Sequence, residues 1–139
     1  MVKMINHNTM FLKRRALPVR QSDNSTAELV KDLMDTLSAN RENCVGMAAN
    51  MISVNKAAII VADGPYQIVM LNPRIIRKEG EYDAEEGCLS LKGVRPCTRY
   101  KKIEVEYDTP EWEHKTETFE DFVAQIIQHE CDHLMGILI

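Results

Sequence analysis

Near the end of the 139-residue chain stands QHECDHLMG, residues 128 to 136, a stretch that restricts the possible folds more than any other. On a helix, positions four apart lie one above the other, with about 5–6 Å between Cβ atoms. His129 and His133 can therefore turn ring nitrogens toward one ion. The H-E-x-x-H pattern carries a mechanism: two imidazoles hold a metal, and the intervening Glu130 is placed to take a proton from water. The plain alternative is a helix with two surface histidines. Ile126 and Ile127 weigh against it, because they put the histidines at the border of an apolar face, where buried rings need partners.

The helix that carries the motif is predicted to begin after WEHKTET. Thr118 can cap it with Asp121 three residues on, Phe119, Phe122, Val123, Ile126, Ile127 and Leu134 recur at helical spacing, and Gly136 ends it. A first helix is predicted over residues 25–39, where Ser25 and Glu28 have capping-box spacing and Leu29, Leu33 and Leu37 recur every four. Between the two helices the chain reads as strands. GMAA, residues 46 to 49, suits a buried strand approached closely by a neighbour, and KAAIIVA is an apolar run of strand length. YQIVMLNP is a strand stopped at Asn72-Pro73, and the residues from Arg74 to Ser90 read as a strand running into a polar loop. KKIEVEYD alternates cleanly and predicts a half-exposed antiparallel strand. The order helix, strands, helix implies an α+β fold, with residues 1–139 as one domain.

Composition narrows the classes. At 45% hydrophobic and 27% charged residues the chain is ordinary for a soluble protein, and it lacks the run of about 18 apolar residues that a membrane span needs. A net charge of −4 argues against a nucleic-acid surface, with FLKRR (11 to 15) read as a solvated basic turn. The N-terminus has no apolar signal core, so the cytosol is the expected compartment. Its four cysteines are then core residues, free thiols or ligands rather than disulfides.

A catalytic site needs a third protein ligand and an open position. LMGILI, downstream of the motif, offers no ligating side chain, so the third ligand comes from upstream. Cys88 in EEGCLS is the best candidate, since thiolates suit the softer divalent metals and Gly87 permits close backbone approach. Cys131 lies roughly 200° around the helix from the histidines and points away from them. Cys44 and Cys97 lack such a context.

EGCLS (86 to 90), QHECDHLMG some forty residues later and CVGMAANM (44 to 51) upstream together resemble the three-motif signature of the peptide deformylase family, in matching order and spacing. The resemblance runs from LKRRALPV to the final helix. It implies the family's fold, mostly antiparallel sheets packed around a metal-bearing helix near the C-terminus. The implied activity is removal of the N-formyl group from the N-terminal methionine of newly made polypeptides, releasing formate. It also implies a divalent ion on Cys88, His129 and His133, typically Fe²⁺ and replaceable by Ni²⁺ or Zn²⁺, with Glu130 as general base and acid. The Leu89 backbone N–H would face the developing oxyanion, and Val45, Gly46, Leu89 and Ile126 would wall the methionine side chain. Asp132 fills a family position where it either orients its neighbours or is a plain surface aspartate. Glu86 and Arg95 either brace the ligand loop as an ion pair or stand as a solvated pair.

The first motif departs from the family pattern at two places. Cys44 stands where the family has glycine, and Met51 stands where it has a glutamine whose amide donates to the formyl oxygen. A thioether has no proton to give, which leaves two readings: a deformylase, slow for want of that donor, or a metal-bound peptide-binding relative with little turnover. Lys92 replaces a common proline. The sequence ends at Ile139 without the C-terminal extension that some relatives use at the ribosome, so docking through such an extension is not expected.

Overall fold

The computed structural model describes residues 1–138; Ile139 lies outside them. A short helix α1 (Thr9–Leu12), capped by the Asn8 side chain, leads to α2 (Thr26–Ala39). Five strands follow: β1 (Gly46–Ala48), β2 (Ala58–Asp63), β3 (Tyr66–Cys88), β4 (Leu91–Asp108) and β5 (His114–Glu120). A single 3₁₀ segment, Ala49–Ile52, separates β1 from β2, and α3 (Asp121–Leu134) closes the described chain. The strands form one antiparallel sheet in the order β1-β2-β3-β4-β5. The α+β architecture expected from the sequence is therefore the observed one.

Strand β2 explains how the layers are held. Its first five residues are all buried because each face of the strand meets a different helix. Ala58, Ile60 and Ala62 pack with Leu29, Leu33 and Leu37 of α2. Ile59 and Val61 pack on the other side with Ile103, Val105, Ile126 and Ile127. An apolar run without alternation is what a strand covered on both faces requires. Helix α3 thus lies against the sheet through Ala124, Ile126, Ile127 and Leu134, which fixes the direction in which its histidines point.

Four local expectations are corrected. The strand does not stop at Asn72-Pro73: β3 passes through a register shift between Leu71 and Arg74, with Asn72 at φ 50°. The Asn72 side chain both accepts from and donates to the Val19 backbone, at 2.8 Å each, so the proline sits in a bulge that leaves the strand intact. Residues 74–88 are ladder rather than loop, paired from Arg74 opposite Glu106 to Cys88 opposite Leu91. The final helix starts at Asp121, because residues 114–120 pair with β4 and place Phe119 opposite Ile103. Thr118 is therefore a strand residue, and sheet pairing overrides the helical spacing that Phe119 shares with Phe122. Ser25 forms no capping hydrogen bond; its hydroxyl donates to Asp23 instead, at 2.6 Å.

The end of α3 behaves as expected. Gly136, at φ 79°, stops the helix. Its N–H donates to the His133 carbonyl at 3.0 Å and the Ile137 N–H to that of Asp132 at 2.9 Å, the two bonds of a Schellman ending. A Cβ at residue 136 would collide with the Lys13 carbonyl oxygen. Gly136→Ala is expected to cost at least about 1 kcal/mol and to lower the thermal midpoint by about 3 °C or more, measured by calorimetric unfolding.

Candidate metal centre and cavity

His129 and His133 stand on the same face of α3, both buried, with ring centroids 4.7 Å apart and their Nε2 atoms 3.0 Å apart. Cys88 ends β3 where the register shifts between Gly87 and Cys88, just before the Leu89-Ser90 turn. The ligating atoms of Cys88, His129 and His133 all lie within 4.8 Å of one another, so the three could hold one metal ion. The sequence brought these residues together by motif. In the fold, one long strand and one helix packed on the same sheet bring them together.

A buried carboxylate holds this arrangement. Glu86, 8% exposed, accepts from His129 Nδ1 at 2.7 Å. An ionised carboxylate can only accept, so Nδ1 carries the hydrogen and Nε2 is left as the ligating nitrogen. Arg99, 4% exposed, donates to both Glu86 oxygens at 2.7–3.1 Å, and Gln125 Nε2 donates to Glu86 Oε2 at 2.8 Å. Burial alone would raise the Glu86 pKa, but the hydrogen bonds from His129, Arg99 and Gln125 hold it well below the usual carboxylate range. Arg99 also reaches Asp132 Oδ2 at 2.7 Å.

The site favours positive charge. Burial works against a charged His129, yet hydrogen bonds to Cys88 and Glu86, with the charges of Glu130 and Glu86, raise it to about 10. A field that holds a proton on a buried imidazole also suits a divalent cation. The soft sulfur and two imidazoles form a donor set that suits Fe²⁺, Ni²⁺ or Zn²⁺. Three ligands leave a coordination position open, whereas structural zinc sites are usually closed by four.

Glu130 is 4% exposed, and its Oε1 has no hydrogen-bond partner among the described residues. Burial pushes its pKa up, opposed by His129, to about 7, where a carboxyl can both accept and release a proton near neutrality. The glycine in β1 makes room for it. A Cβ on Gly46 would stand 2.5 Å from Ile126 Cγ2 and 3.0 Å from Glu130 Oε2. The close approach expected of the GMAA stretch is therefore the approach of α3 to β1.

These residues border a cavity of about 450 Å³ whose wall includes Val45, Gly46, Met51, Cys88, Leu89, Ile126, His129 and Glu130. Met51 is 1% exposed, and its Sδ accepts from the Ala48 N–H at 3.5 Å. The Cys44 thiol donates to the Gly46 carbonyl at 2.8 Å. Burial, with the Glu130 charge, pushes it up to about 12, so it stays a neutral thiol whose proton is already engaged. All four cysteines are free.

The Glu86–Arg95 ion pair, one of the two alternatives left open by the sequence, is absent among the described residues. Arg95 lies opposite Glu86 across the hairpin, but its guanidinium turns to the Lys92 carbonyl, 3.3 Å away. The buried cation is Arg99, four residues further along β4, where it bridges Glu86 and Asp132 and so is satisfied twice. Asp132 thus accepts from a buried arginine, which a plain surface aspartate would not. Gln125 was readable as the residue one turn before His129, but Arg99 carried no local signal. Gln128 carries no local signal either: its amide bonds both backbone groups of Tyr100, at 2.9 and 2.8 Å, beyond the point where β5 leaves β4 at Lys102.

The family model described as polypeptide deformylase matches residues 1–139. The chain is 44% identical to a peptide deformylase of Clostridium beijerinckii over the full length of both. It is 38% identical to peptide deformylase 2 of Clostridium acetobutylicum over 91% of this chain and 85% of that one. Among solved structures, a peptide deformylase from Legionella pneumophila superposes with TM-score 0.90 at 33% identity, covering 99% of this chain and 83% of that one. A class I type b peptide deformylase from Acinetobacter baumannii, solved with Met-Ala-Ser bound, gives 0.89 at 32% identity, covering 99% and 97%.

Arg99→Met leaves the Glu86 carboxylate buried without its counter-charge. It is expected to lower unfolding stability by about 3–5 kcal/mol in urea titrations. Metal analysis after zinc loading should find one ion per chain in the wild type and far less in Cys88→Ala.

Proposed function

The chain belongs to the peptide deformylase family, and on that premise we propose that residues 1–139 act as one unit that removes the formyl group from the N-terminal methionine of newly made polypeptides. The products are formate and a free α-amine, and the compartment is the cytoplasm. The observation that carries this reading is the Oε1 of Glu130, without a hydrogen-bond partner among the described residues and buried at the same cavity as Cys88 and His129.

Cys88, His129 and His133 are the residues that hold the divalent ion, Fe²⁺ first and Ni²⁺ or Zn²⁺ as substitutes. When bound there, such an ion supplies Lewis acidity toward a carbonyl oxygen and toward water. The chain's own groups do the rest. Glu130 takes the proton of the attacking water at its free oxygen and returns it to the departing amine nitrogen as the C–N bond breaks. The Leu89 N–H, in the turn beside Cys88, donates to the developing oxyanion. Val45, Gly46, Leu89 and Ile126 form the wall that takes the methionine side chain and excludes water from the reacting bond. Glu86, held by Arg99 and through it by Asp132, keeps the His129 ring oriented.

Met51 sets the expected pace. It lines the cavity, yet it has no proton to donate and its sulfur is engaged by Ala48. The Cys44 proton is engaged at Gly46, so the thiol does not replace the missing amide. Loss of one oxyanion donor costs about 10²–10³ in turnover. The same observation favours a second reading, a metal-bound peptide-binding protein with little or no turnover.

The test is formate release from formyl-Met-Ala-Ser by protein loaded with iron or nickel without oxygen. Wild type should exceed Glu130→Gln clearly, and Met51→Gln should raise the rate by up to about 10²-fold. Release no greater than that of Glu130→Gln would leave the peptide-binding reading.

A further inference from the structure

The cavity wall contains a polar side chain of which the Glu86 network uses only one N–H. Gln125 precedes His129 by one helical turn, so it rises on the same face of α3 and lines the cavity half-buried. The only hydrogen bond of its side chain among the described residues is from Nε2 to Glu86 Oε2, at 2.8 Å. Glu86 is an acceptor, so the nitrogen, not the oxygen, faces it, and the orientation of the amide is settled. Arg99 and His129 fix Glu86 in turn, which leaves the amide little freedom to turn. A primary amide has two N–H groups and a carbonyl oxygen, and the anchor uses one N–H. The second N–H and Oε1 remain for a ligand.

The wall around Gln125 includes apolar side chains: Ile126 beside it, Phe122 one turn before it and Val45 across the cavity. An oriented amide among apolar groups lets a pocket discriminate a side chain bearing an acceptor from a hydrocarbon of equal shape. A thioether sulfur is a weak acceptor, a sulfoxide oxygen is a strong one, and a methylene group is none. Burying a sulfoxide is costly unless a donor meets it, and the unused amide N–H is such a donor.

We propose that Gln125 is a specificity-determining residue of this site. Its second amide N–H recognises the sulfur function of the substrate's first side chain, so that the pocket takes methionine, and also methionine sulfoxide, ahead of a hydrocarbon of the same length. The inference rests on the reading of the site as one for formyl-methionyl peptides.

The test compares formyl-X-Ala-Ser peptides in which X is methionine, methionine sulfoxide or norleucine, with wild type, Gln125→Leu and Gln125→Met. In the wild type kcat/KM should favour both sulfur side chains over norleucine. In either variant the sulfoxide-to-norleucine ratio should fall about tenfold and the methionine-to-norleucine ratio by a smaller factor, with the change carried by KM. The same ratios are read as affinities of the unformylated X-Ala-Ser peptides for zinc-loaded protein by titration calorimetry. Absence of formate release would overturn the reaction and leave the affinity ratios to judge Gln125. Ratios that stay the same in both variants, by either readout, would overturn the role given to Gln125.

Discussion

The hydrogen bond between Glu86 and His129 Nδ1 is the interaction on which the site depends. A ring nitrogen ligates an ion only if the other nitrogen holds the proton, and a buried carboxylate secures that state. An isolated buried carboxylate would instead become neutral. Arg99 keeps it charged, and Asp132 and Gln125 satisfy what remains of the network. The strands of one hairpin and the closing helix are thereby tied together through five side chains. A buried ion pair of this kind is weak evidence for stability, because desolvation offsets most of the attraction. Its use here is geometric.

The packing decides where that network can stand. With β2 buried on both faces, α2 and α3 lie on opposite sides of the sheet, and α3 brings Gln125 and His129 to Glu86 near the end of β3. Gly46 lacks a Cβ that would meet Ile126 and Glu130 of α3, and Asn50 Nδ2 donates to the His133 carbonyl at 3.0 Å. The first motif therefore does more than line the cavity, since it also sets the depth at which the histidine helix sits. No described helix is long and apolar enough to cross a membrane.

What the sequence revealed follows from how local each signal is. His129, Glu130 and His133 were legible because helical spacing alone puts i and i+4 side by side. Cys88 was legible because the reaction needs a third ligand and the letters after the motif offer none. Arg99 was not legible, because its meeting with Glu86 depends on the ladder register of a long hairpin, which neither residue's neighbours encode. The segment from Arg74 onward read as a strand running into a polar loop, since its later, exposed and charged residues lack apolar alternation; the backbone ladder with β4 holds it as a strand as far as Cys88. Phe119 misled in the opposite sense, because its spacing to Phe122 fits a helix while its pairing partner is Ile103.

X-ray absorption at the metal edge of the zinc-loaded protein tests the central claim most directly, namely that one sulfur and two imidazoles hold the ion with a position left open. The account predicts one sulfur at about 2.3 Å and nitrogen or oxygen ligands at about 2.0–2.1 Å, including a light ligand that exogenous anions displace. A shell without sulfur, or one closed by protein ligands that no added anion alters, would contradict it.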